Sequence, residues 1–69
     1  MITSLTFPLP MDIVRHRRER ALTATIEQVR PIRRRAPLVA FRVDRTGARH
    51  ALPLPEFLQE FEPTGVVAR

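Results

Sequence analysis

Sixty-nine residues without a cysteine make one domain at most, and exclude a disulfide framework and a thiolate metal site. Hydrophobic residues are 43% of the chain and charged residues 28%, too apolar a balance for a disordered polyelectrolyte. The net charge is +5 and all twelve basic residues are arginine, whose planar, always-charged fork grips phosphate or carboxylate through two bonds.

The charge is uneven. Residues 1–35 carry eight arginines against Asp12, Glu19 and Glu27, a balance of +5, while residues 36–69 balance to zero. Two dense runs, Arg15, Arg17, Arg18, Arg20 and then Arg33, Arg34, Arg35, hold most of the excess. Such runs point to a polyanionic partner. A GC-rich coding sequence would also favour arginine over lysine, and composition alone does not separate the two readings.

In chain order, residues 1–10 read as an extended N-terminal arm, since Pro8 and Pro10 block a helix. Ile2, Leu5, Phe7 and Leu9 give that arm apolar groups to dock on the domain or on a neighbouring subunit. A short strand is expected over residues 11–16. Residues 20–30 alternate most clearly: Leu22, Ala24 and Ile26 share one face, and Thr23, Thr25 and Glu27 the other. The β-branched Thr and Ile favour a strand. A helix competes over residues 12–30, because Ala21–Leu22 and Ile26–Val29 also fit a helical stripe.

Pro31 is expected to interrupt that strand and open an arginine-rich loop over residues 31–37. Residues 38–43 form a second strand with Val39, Phe41 and Val43 facing in and Arg42 facing out. A tight turn at Asp44, Arg45, Thr46 and Gly47 returns the chain as a partner strand over residues 49–54. Pro55 and Glu56 suit the first turn of a short helix, with Phe57, Leu58 and Phe61 as its apolar face. Pro63 stops the helix, and Val66 and Val67 offer a last short strand.

The fold class expected from this order is mainly β: a single small barrel of about five strands, with one short helical turn before the last strand. The segments Asp12-Ile13-Val14-Arg15, Ala24-Thr25-Ile26-Glu27-Gln28-Val29, Leu38-Val39-Ala40-Phe41-Arg42-Val43, Gly47 and Leu52-Pro53-Leu54-Pro55-Glu56-Phe57-Leu58 resemble those of small SH3-like barrel domains. That group includes short uncharacterised phage or mobile-element proteins. The resemblance covers roughly residues 11–67 and implies an arm over 1–10 and an SH3-like domain over 11–69. Among SH3-like proteins, the plasmid-type trimethoprim-resistant dihydrofolate reductases carry a Val-Gln-Ile-Tyr strand before the short helix. This chain reads His50-Ala51-Leu52-Pro53 there, so it lacks those site residues.

The function expected is phosphate-backbone contact by a small accessory nucleic-acid-binding protein. Arg15, Arg17, Arg18, Arg20, Arg33, Arg34 and Arg35 are its candidate residues, with Arg42, Arg45 and Arg49 extending the patch. The two runs form one surface only if the intervening strand bends or the first loop folds back. The alternative is an interaction module docking on an acidic protein surface, anchored by the arm or by Phe57, Leu58 and Phe61. Without Trp or Tyr, an aromatic base-stacking platform, a proline-peptide groove and a methyl-lysine cage all lack their usual walls.

No catalysis, cofactor or metal is expected. His16 and His50 stand apart from any closely spaced ligand set, and Gly47 and Gly65 are too few for a phosphate-cradling loop. His16 reads as a solvated or phosphate-contacting side chain. The first residues lack the charge and apolar run of a signal peptide, and no run approaches the roughly 20 apolar residues of a membrane helix. A cytoplasmic protein is expected, able to form a homo-oligomer because so short a chain buries little core of its own.

Overall fold

The computed structural model describes residues 7–68. The chain is mainly β, with β1 (Asp12–His16), β2 (Thr23–Ile32), β3 (Arg35–Val43), β4 (Arg49–Pro53), α1 (Leu54–Glu60) and β5 (Phe61–Val67). The five strands form one antiparallel sheet in the order β4-β3-β2-β1-β5. The single short helix precedes the last strand, as expected. No described helix is long and apolar enough to cross a membrane.

Alternation builds the core. Val14 of β1 lies opposite Ala24 of β2, which lies opposite Val43 of β3, and Ile26 lies opposite Phe41. All five side chains turn to one face and are buried, with Val39 beside them. The helix closes that face. Pro55 and Glu56 occupy its first turn, where a missing N–H costs nothing and a carboxylate meets the positive end of the peptide dipoles. Phe57 then drops fully into the core. Its ring stacks on Phe61 at 5.1 Å between centroids, and Phe41 meets the pair at 5.7 and 5.0 Å. Aromatic contacts of this kind add about 0.5–1.5 kcal/mol each beyond their buried area.

Several expectations change. Residues 12–30 contain two strands, so the helical alternative is excluded. The helical stripe through Ile26 and Val29 comes from a bulge. Ile26 pairs with Phe41 and Gln28 with Ala40, leaving Glu27 as an extra residue that shifts the alternation by one. Pro31 does not end β2; the strand runs to Ile32, and Arg35 already belongs to β3. The loop expected over residues 31–37 is therefore a turn of two residues, Arg33 and Arg34. Among the described residues no third strand flanks this part of the hairpin, since β1 pairs with β2 only at Thr23, Ala24 and Thr25, and β4 with β3 only from Leu38 to Arg42. Pro31 and Pro37 fall where no outer neighbour needs their missing N–H.

Phe61 ends the helix in extended conformation and opens β5. Pro63 lies within that strand, and Thr64 and Gly65 form a bulge opposite the Ile13–Val14 step. The Thr64 hydroxyl donates to the Ile13 carbonyl at 2.7 Å, and Gly65 takes φ +83°, which its lack of a Cβ permits. Of the apolar face expected on the helix, Phe57 and Phe61 are spent on the core and Leu58 is left exposed. Of the expected arm, residues 1–6 lie outside the described residues. Phe7, one of the arm's apolar groups, packs half-buried on the domain itself, 6.3 Å from Phe57.

Candidate nucleic-acid interface

The twelve arginines are not equivalent, because two glutamates capture some of them. On the outer face of the sheet, Arg15 of β1 lies directly opposite Glu62 of β5. The Glu62 carboxylate stands 4.0 Å from Arg15 Nε, 3.4 Å from Arg17 and 3.6 Å from Arg20. Arg15 Nε is buried without a hydrogen-bond partner, and among the described residues Glu62 is the one carboxylate within ion-pair reach of it. Arg17 is held further: its Nε donates to the Leu58 carbonyl at 3.0 Å, and its backbone N–H donates to the Glu60 carbonyl at 2.8 Å. A cation here meets the negative end of the helix. Glu62 belongs to β5 and gathers three arginines.

The second capture is on the hairpin. Arg42 and Arg49 lie directly opposite each other on β3 and β4, an unfavourable pairing of like charges. The bulge residue Glu27 resolves it, reaching Arg42 at 3.7 Å and Arg49 at 3.4 Å. Between the two captured groups, Asp44 accepts hydrogen bonds from the Thr23 and Thr25 hydroxyls, both at 2.8 Å. These bonds tie the β3–β4 turn to the start of β2 and explain why Thr25 is the one buried polar residue among those described. Gly47 makes the turn itself possible, with φ +76° and its N–H donating to the Val43 carbonyl at 2.7 Å.

The remaining candidates are uncommitted. Among the described residues, Arg18, Arg33, Arg34, Arg35 and Arg45 are exposed and have neither a salt bridge nor a side-chain hydrogen bond. Arg33, Arg34 and Arg35 crowd the tip of the unflanked β2–β3 hairpin. Arg34 sits at φ +62°, where a bulky L-residue is uncommon and Gly or Asn is usual.

The structure does not join the two runs. The first precedes Thr23 and the second follows Ile32, at opposite ends of β2. Ten extended residues span roughly 30 Å at about 3.3 Å each, and the molecule is only 32 Å in its longest dimension. Arg45 belongs with the first end, because Asp44 is bonded to Thr23.

His16 is also placed differently from expectation. Its side chain is only 19% exposed, and its Nδ1 accepts the backbone N–H groups of Arg18 and Glu19 at 3.2 and 3.1 Å. Its ring meets Phe61 edge-on at 5.2 Å. It therefore shapes the arginine loop from beneath. Among the described residues, no group of three or more His, Cys, Asp or Glu is placed to hold a metal ion. No family model, no curated protein and no solved structure matches the chain.

Proposed function

We propose that this chain is a small accessory nucleic-acid-binding protein that grips the phosphate backbone without catalysis. The observation carrying this reading is the β2–β3 tip: three consecutive exposed arginines without a carboxylate partner among the described residues, on a hairpin end that no other described strand flanks. A conformation unfavourable to Arg34 at the turn supports it, because local backbone cost persists where a side chain serves a purpose. Arg18 and Arg45 supply further free guanidinium groups at the other end. An SH3-like barrel remains the proposed finer description of the fold. The strand order and the helix before β5 favour it.

Phosphate contacts release counterions, so affinity must fall as salt rises. Fluorescence anisotropy with labelled single- and double-stranded DNA and RNA, from low to physiological salt, is the test. Three tip contacts give a slope of log K against log salt of roughly −2 to −3. No saturable binding even at low salt would discard the reading.

A second reading, docking on an acidic protein surface, draws support from one feature. Leu9, Met11, Val66 and Val67 are about half exposed, and Leu9, Val66 and Val67 line one groove with Ile13 where β1 and β5 pair. Capture of a protein partner that survives nuclease treatment, together with absent nucleic-acid binding, would favour it.

A further inference from the structure

The core face of the sheet is not completely closed. Where the β1–β2 loop, the β3–β4 hairpin and the start of β5 meet, a cleft of about 300 Å³ opens, floored by Phe41, Val43 and Phe61 and flanked by His16, His50 and Glu60. That is at the small end of the range for ligand sites. A more polar hollow shares His16 and Glu60 and adds Arg18 and Gln59.

The polar groups on this rim have a fixed character. His16 Nδ1 is an acceptor of two backbone N–H groups, so its ring proton resides on Nε2. Nε2 faces the Glu60 carboxylate at 3.7 Å, beyond hydrogen-bond distance. The rim thus presents one unspent N–H donor beside a carboxylate that can only accept. The Glu60 side chain is 56% exposed and makes no hydrogen bond among the described residues. The ring of His50 lies 5.8 Å from Phe41, tilted by 33°.

We infer that this cleft takes one unpaired guanine base of a bound single strand. The inference rests on the phosphate-binding reading, which brings the strand to the protein. Guanine's pairing edge carries an acceptor, O6, next to two donors, N1–H and N2–H. That order is complementary to a donor at His16 Nε2 beside two acceptor oxygens at Glu60. Thymine and uracil offer one donor between two acceptors. Adenine and cytosine lack the adjacent pair of donors that a carboxylate accepts best. The apolar floor and the His50 ring receive the flat face of the base. Arg18, lining the adjoining hollow without an anionic partner, takes the phosphate of the same nucleotide. In a duplex the reading edge is consumed by cytosine, so a paired guanine does not enter.

The test uses the full chain in two arms. In the first, anisotropy compares a thymidine-only strand, the same strand with one central guanosine, with inosine in its place, and with the guanosine paired in a duplex. The guanosine strand is expected to bind about tenfold tighter than the thymidine strand, with inosine between and pairing abolishing the gain. Glu60→Gln, at an exposed side chain, is expected to reduce the guanosine-to-thymidine ratio to about threefold or less. In the second arm, GMP is titrated against labelled protein by NMR, with UMP and AMP as controls. Shifts are expected at His16, Ala51, Glu60 and Phe61 with GMP and not with the controls. Equal binding of the guanosine and thymidine strands would overturn the inference while leaving the phosphate reading intact. So would GMP shifts confined to Arg33, Arg34 and Arg35. Cleft shifts with GMP but no binding of any strand would uphold the base site and remove the phosphate reading.

Discussion

The arginines around Glu62 and those at the β2–β3 tip are chemically identical and structurally opposite. Arg15, Arg17 and Arg20 share one carboxylate, and Arg17 also caps helix carbonyls; Arg33, Arg34 and Arg35 have no anionic partner among the described residues. The first group joins β1, the arginine loop, α1 and β5 into one unit. The second extends from a hairpin end that no further described strand flanks. A dense run of positive charge therefore has two physical meanings, and its neighbours decide which applies. Where a strand register brings a glutamate opposite, the run is fastened into the fold. Where it does not, the run stays exposed, as the proposed contact with an external anion requires.

The largest effect expected from this contrast is on binding. Reversing Arg33 and Arg34 together to Glu is expected to weaken nucleic-acid affinity at least about tenfold, alike for all sequences, and to flatten the salt slope. Stability should stay within about 0.5 kcal/mol, since the tip makes few contacts. Anisotropy and urea unfolding on the same preparation read both quantities. Unchanged affinity would move the phosphate contact to the other end of the molecule.

Next comes Glu62→Gln, which strikes the fastened end. It leaves Arg15 Nε buried without a compensating charge and three guanidinium groups in mutual repulsion. A loss of about 1–2 kcal/mol in unfolding free energy is expected. Affinity for nucleic acid should not fall, because three arginines are released rather than removed. A urea midpoint equal to the parent's would show that the Glu62 cluster is ordinary surface charge and erase the contrast.

How much of this was legible in the sequence depends on locality. Val39, Phe41 and Val43 alternate without interruption, and β3 is readable at sight; all three are buried. Glu27 shows where local pattern fails. As a bulge it puts Ile26 and Val29 on one side of a strand at a spacing typical of a helix, and only the partner strand reveals the slip. The prolines misled for a related reason. Pro31 and Pro37 exclude a central strand but not a hairpin tip with two free outer edges, and which strands flank the tip is a property of the whole sheet. The capture of Arg15, Arg17 and Arg20 by Glu62 spans more than forty positions, so no window of sequence contains it. The uneven charge was visible from composition, whereas the division into fastened and free arginines was not.

The smallest effect concerns one residue at the tip and separates stability from binding most cleanly. Arg34 holds φ +62°, which glycine adopts without the clash of a Cβ against the backbone. Arg34→Gly relieves that cost, while glycine's greater freedom in the unfolded chain offsets part of the gain. A net stabilisation of about 0.5 kcal/mol is expected, seen as a higher urea midpoint with an unchanged slope. The same variant removes one guanidinium from the tip, so affinity should fall severalfold and the salt slope should drop by about one unit. Opposite movement of the two readouts would show that the fold tolerates an unfavourable backbone for the sake of the charge at this position. If the variant lost stability as well as affinity, Arg34 would belong to the fastened class, and the tip would no longer differ in kind from the cluster around Glu62.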